Sequence, residues 1–122
     1  MSRANRDLVV RYYQSLNDWD GLRLILGEDV LYEVPQTRER VRGKEPYVDF
    51  NATFPGNWTI EIVRMVADET GAAGQILFRD GDAEMTGIAF FEFARGKISR
   101  ITDFWLEPYE PPERKSRFVG QY

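Results

Sequence analysis

From Trp58 onward the chain reads as strand after strand. Trp58 to Ala67 alternates in character, with Ile60 and Ile62 on one face. Glu69-Thr70-Gly71 breaks the run, Ala72 to Arg79 follows, and Asp80-Gly81 carries a hairpin signal. Ala83 to Ala94 is long and aromatic. Arg95-Gly96-Lys97 turns the chain once more, and Ile98 to Leu106 ends the series. Short turns join antiparallel neighbours, so these four runs predict a meander. A sheet with one apolar face needs a second layer to cover it.

The first half of the chain supplies that layer. Leu8, Tyr12, Leu16 and Trp19 recur at helical spacing, and Val9 and Tyr13 widen the stripe. Asn5 is the expected N-cap, with Asp7 in the first turn. A short second helix is expected from about Asp20 to Leu26, its apolar face made by Leu22, Ile25 and Leu26, with Gly27 as its C′ residue. Val30 to Val34 reads as a strand ended by Pro35. The polar stretch from Gln36 to Lys44, with Arg38, Arg40 and Arg42, reads as a solvated loop or an edge strand, with anion binding as the alternative. Gly43 and Pro46 open a third helix with an apolar stripe of Tyr47, Phe50 and Phe54, and Pro55-Gly56-Asn57 stops it.

Helices first and a meander last define an α+β class. The expected architecture is a cone-shaped barrel of a curved, mainly antiparallel sheet, with three N-terminal helices packed on its concave face. A chain of 122 residues suits one domain spanning 1–122. Residues 108–122 form a Pro-rich C-terminal tail, whose Tyr109, Phe118 and Tyr122 imply that it packs on something.

Composition narrows the chemistry. The chain has no cysteine and no histidine. Thiol nucleophiles, Ser-His-Asp triads and nearly all zinc sites are therefore excluded. Acid–base work falls to Asp, Glu, Tyr, Lys or Arg, and neither a metal nor an organic cofactor is expected. A net charge of −4 argues against a nucleic-acid partner. The longest apolar run, Ile88 to Phe91, is far short of the ~20 residues a membrane span needs. The amino-terminal MSRANRDLVV lacks an apolar leader core, so a cytoplasmic location is expected.

The segments RYYQSLNDWDGL, GEDVLYEVP, VRGKEPYVDF and GIAFFEFARGKISRITDFW, spread over residues 5 to 107, together resemble the nuclear transport factor 2-like superfamily. The resemblance is nearest to SnoaL-like bacterial proteins. It implies the cone fold and sheet-on-sheet dimers, and it leaves the activity open among isomerases, cyclases, epoxide hydrolases, dehydratases and proteins without known chemistry. Ketosteroid isomerases of this group place a tyrosine donor near Tyr12, but their two carboxylates fall at Val34 and Ala89 here. Epoxide hydrolases need an Arg-x-Asp pair that AAGQILF lacks, and the dehydratases depend on histidine. The polyketide cyclases use an aspartate on a late strand, which matches Asp103.

On the last strand Ile101, Asp103 and Trp105 share a face. The resemblance turns that face inward, so Asp103 points into the cone. The same reading lines a cavity with Leu16, Tyr32, Val34, Phe50, Phe54, Gln75, Leu77, Ala89, Phe91 and Trp105, with room left by the small residues Gly87 and Ala89. Few polar groups in an apolar cup suit a small hydrophobic ligand. Asp103 is the candidate acid–base residue, with Tyr12 or Gln75 stabilising an oxyanion. The open alternatives are a purely structural Asp103 and Tyr12, and a non-catalytic ligand-binding or dimeric interaction module. Ile88, Phe90, Phe104 and Leu106 point to the outer face, an apolar surface suited to a homodimer.

Overall fold

The structure, a computed structural model, describes residues 2–54 and 57–122. Helix α1 spans Ser2–Gln14, α2 Trp19–Ile25 and α3 Lys44–Ala52. Strands β1 (Leu26–Val34), β2 (Glu39–Arg42), β3 (Trp58–Ala67), β4 (Ala72–Asp80), β5 (Ala83–Ala94) and β6 (Lys97–Leu106) form one unclosed sheet in the order β2-β1-β6-β5-β4-β3. All pairings are antiparallel except β1 with β6. The expected α+β class and helix-covered curved sheet are what the structure shows. No helix among the described residues is long and apolar enough to cross a membrane.

Several local expectations are corrected. Helix α1 begins at Ser2, so Asn5 lies inside it and is not a cap. Its side-chain amide instead donates to the Asp68 carbonyl at 2.8 Å, tying the helix to the β3–β4 turn. Helix α2 starts at Trp19 and is capped by Asp18, whose Oδ1 accepts from the Gly21 amide at 3.1 Å. Gly27 does not end it. Leu26 is already extended (φ −95°, ψ 141°) and pairs with Ile98, so Gly27 lies within β1. The buried parallel pairing of Leu26 with Ile98 overrides the local stop signal. Strand β1 is consequently longer than the expected Val30–Val34. The arginine stretch contributes the short edge strand β2. At Gly43, φ is +103°, a conformation that favours glycine, and it begins α3. Pro55 and Gly56, expected to stop α3, lie outside the described residues.

The hairpin turns follow their residues. Arg95 and Gly96 both have positive φ (54° and 74°), as a type I′ connection between β5 and β6 requires. In the β3–β4 turn, Asp68 Oδ1 accepts from the Thr70 amide and hydroxyl and from the Gly71 amide.

The faces of β4 are opposite to expectation. Gly74, Ile76 and Phe78 are buried, whereas Gln75 and Leu77 lie on the outer face. Directly paired residues share a face, and Gln75 pairs with Ile88, while Ile76 pairs with Gly87 and Gly87 with Trp105. The inward row is therefore Ile76, Gly87 and Trp105.

The core fills the cone below its mouth. Val9, Leu22, Leu26, Val30, Ile98 and Ile101 are completely buried there. The tail from Pro108 contains no helix or strand, and Tyr109, Phe118 and Tyr122 are exposed, so it does not pack on its own chain.

Candidate active site

A cavity of about 280 Å³ opens between the helices and the concave face of the sheet. Helix α1 and the turn after it bring Tyr12, Tyr13 and Leu16; β1 brings Tyr32 and Val34; α3 brings Tyr47, Phe50 and Asn51. Phe54, Trp58, Ile60, Ile76, Phe78 and Met85 build the far wall. Asp103 and Trp105 come from β6, Thr37 from the turn before β2, and Glu39 from the start of β2.

Asp103 is the one buried charged residue among the described residues, 8% exposed. The Tyr32 hydroxyl donates to its Oδ2 at 2.6 Å. Among the described residues Oδ1 has no partner within hydrogen-bond distance. Yet among the described residues no buried side-chain oxygen lacks one, so Oδ1 borders the cavity. Burial pushes the carboxyl up to about 6, and the hydrogen bond from Tyr32 pulls the other way.

Beside it the hydroxyls of Tyr12 and Tyr47 hydrogen-bond each other. The rings of Tyr32 and Tyr47 are 4.8 Å apart between centroids. All four tyrosines of the site hold their protons more firmly than usual. Burial is the main cause in each, and the Asp103 charge adds to it. They are therefore hydrogen-bond donors at any physiological pH. In the Tyr12–Tyr47 pair one proton lies between the two oxygens. The second hydroxyl proton has no further acceptor among the described residues, so it is available to a ligand oxygen.

The mouth is braced by an unusual contact. Gln36 lies just past the end of β1, and its side-chain amide grips the backbone of Trp105: Nε2 donates to the Trp105 carbonyl at 2.8 Å, and the Trp105 amide donates to Oε1 at 2.5 Å. A side chain thus continues the β1–β6 pairing beyond Pro35. Phe78 lies edge-on to Trp105 at 5.6 Å and near-parallel to Trp58 at 5.8 Å, giving a continuous aromatic wall.

Of the sequence-predicted residues, Tyr12, Leu16, Tyr32, Val34, Phe50, Phe54, Asp103 and Trp105 come together around the cavity. Gln75 and Leu77 do not; they lie on the outer face. Ala89 is buried on the inner face opposite Asp103, and Phe91 packs edge-on against Tyr12 and Tyr13, so neither lines the cavity. Tyr47 was not singled out as a polar group, although its place on the third helix's apolar stripe put it on the right side. Ile76 and Phe78 were missed with the face of β4.

The arrangement resembles known proteins. Residues 9–101 match the SnoaL-like domain model. A solved "putative ketosteroid isomerase" from Kribbella flavida is 37% identical, with 99% of this chain and 91% of that one covered and a TM-score of 0.96. A nuclear transport factor 2-like protein of unknown function from Burkholderia xenovorans is 21% identical over 98% of this chain and 96% of that one, TM-score 0.86. A "putative SnoaL-like polyketide cyclase" from Jannaschia is 14% identical over 86% and 87%, TM-score 0.77. No functionally curated protein matches. The helix-covered open sheet and the domain match across most of its length lead to one conclusion: the chain belongs to the SnoaL-like family of the nuclear transport factor 2-like superfamily.

Proposed function

We propose that the cone binds a small, uncharged, apolar carbonyl compound and that Asp103 moves a proton on it without a cofactor. The observation that carries this reading is the carboxyl of Asp103. It is buried, held at one oxygen by Tyr32, open to the cavity at the other, and poised at about 6. A carboxyl titrating near the working pH can both take and return a proton. A free phenolic proton of the Tyr12–Tyr47 pair can stabilise the oxyanion that forms when a proton leaves the carbon next to a carbonyl.

Charge selects the ligand. The charged residues lining the cavity are Asp103 and Glu39, both acidic, and no lysine or arginine lines it among the described residues. A carboxylate or phosphate ligand would meet a buried like charge and no counter-ion. The Kribbella flavida relative is described as a "putative ketosteroid isomerase", and isomerising a ketone is chemistry of the same class. Steroid isomerisation through the usual carboxylates is not part of this reading, because Val34 and Ala89 stand at their positions.

The test is hydrogen–deuterium exchange. 2-Acetylnaphthalene, a neutral aryl methyl ketone, is incubated in D2O near neutral pD, and loss of its methyl proton signal is followed by NMR. Wild type accelerates exchange, and Asp103→Asn loses at least about a hundredfold of that acceleration. Equal rates for the two proteins would sink the proposal. Calorimetry with 2-naphthoate, the anionic counterpart, should show at least tenfold weaker binding than the ketone.

A second reading, a non-catalytic ligand-binding or dimeric interaction module, draws on the outer face. Phe90 and Leu106 are half exposed there, and Phe104 meets Phe90 edge-on. Homodimerisation through that face is compatible with both readings.

A further inference from the structure

The tail from Glu107 to Tyr122 poses a physical problem. Tyr109 is 87% exposed and Phe118 83% exposed. Its sole side-chain hydrogen bond among the described residues is internal, from the Phe118 amide to Ser116 Oγ at 3.2 Å. A segment so exposed should sample many paths, because fixing a backbone costs conformational entropy that little burial offsets. Yet the tail follows the path seen in a solved relative. The Kribbella flavida structure superposes on 99% of this chain with a TM-score of 0.96, which leaves no room for a tail that points elsewhere. Pro108, Pro111 and Pro112 stiffen part of the path, but they do not explain exposed Phe118, Val119 and Tyr122.

We propose that a second copy of this chain holds the tail. Three observations select that partner. The tail leaves β6 at half-exposed Leu106, on the outer face that carries half-exposed Phe90 and partly buried Phe104, so two chains meeting at this patch place each tail against the other. Fully extended, it reaches roughly 50 Å at ~3.3 Å per residue, enough to cross a neighbouring domain of this size. Its charges are self-complementary: Glu107, Glu110 and Glu113 come first, then Arg114, Lys115 and Arg117. A two-fold axis perpendicular to the paired tails runs them antiparallel and sets the acidic half of one against the basic half of the other. The aromatic residues then cover the partner's outer face. This surface is separate from the cone, and the inference stands independently of any ligand.

The experiment compares the full-length chain with its double variant Tyr109→Ser/Phe118→Ser by sedimentation velocity over a range of micromolar concentrations. Circular dichroism checks that both are folded. Wild type sediments as a dimer, and the variant dimer dissociates at least tenfold more readily. An unchanged dimer constant overturns the tail's role, and a monomeric wild type overturns the partner. Because the chain lacks cysteine, Gln121→Cys accepts a single thiol-directed photo-crosslinker and leaves Phe118 in place. In an equal mixture of ¹⁵N-labelled and unlabelled protein, crosslinks joining one heavy and one light peptide are expected. Crosslinks confined within single chains would refute the exchange.

Discussion

Gly87 and Trp105 face each other across β5 and β6, and the indole occupies the space a side chain at 87 would need. A Cβ there would lie 2.8 Å from Trp105 Cζ3 and 2.7 Å from Ile76 Cδ1, closer than packed atoms approach. The absent side chain sets how far the indole can sink into the sheet, and hence the width of the cavity.

Gly87→Ala should therefore overpack the inner face at a cost of about 1–3 kcal/mol. The relief available is for Trp105 to swing toward the cavity. Thermal unfolding should shift down by several degrees, and calorimetric affinity for 2-acetylnaphthalene should fall at least tenfold. A variant that melts and binds like wild type would show that this packing does not shape the site.

Asp103 also leaves a mark on stability. Its carboxyl titrates at about 6 in the fold against 3.8 when unfolded, because burial disfavours the charge. Between these values the folded state holds more protons than the unfolded state, so stability falls as pH rises. The penalty is absent below about pH 4 and complete above about pH 7, with a size on the order of 3 kcal/mol. Asp103→Asn does not titrate there. Urea unfolding of both proteins from pH 4 to 8 should show the variant gaining on wild type across this window and a constant difference above it. A gap independent of pH would refute the raised value.

Tyr32→Phe removes the bond that favours the Asp103 carboxylate. The Asp103 midpoint should then rise above about 6, by the sign of a hydrogen bond made to the charged form. Carboxyl ¹³C chemical shifts followed against pH check it directly. If the midpoint stays or falls, Tyr32 is not what restrains the carboxyl, and Oδ2 has another donor.

The meander was legible because its turns announce themselves. Gly81 and Gly96 have positive φ, and Asp68 closes its turn with local bonds, all readable within a few residues. The end of α2 was not legible in this way. What draws Leu26 into a strand is Ile98, far along the chain, and no neighbouring residue signals it. Strand β4 shows a different limit. Alternation gives the period of a strand but not its phase, so AAGQILF can be assigned to either face until its partner is known. That choice misplaced Gln75 and Leu77 and hid Ile76 and Phe78. Asp103 was found because a lone acid between Ile101 and Trp105 stands out on an apolar face. Tyr47 was not, since a tyrosine in an apolar helical stripe looks like packing until its hydroxyl meets Tyr12.

The order β2-β1-β6-β5-β4-β3 puts β6 in the interior of the sheet, bonded on both sides. Asp103 thus rides on an interior strand, less free to fray or slide than the edge strands β2 and β3. Much of the wall facing it comes from α3, Phe54 and the edge strand β3. In evolutionary terms the anvil and the mould are separate parts. Substitutions at Phe50, Phe54, Trp58 or Ile60 can recast the shape of the cavity while the carboxyl keeps its place, so one backbone can offer differently shaped cavities without being refolded.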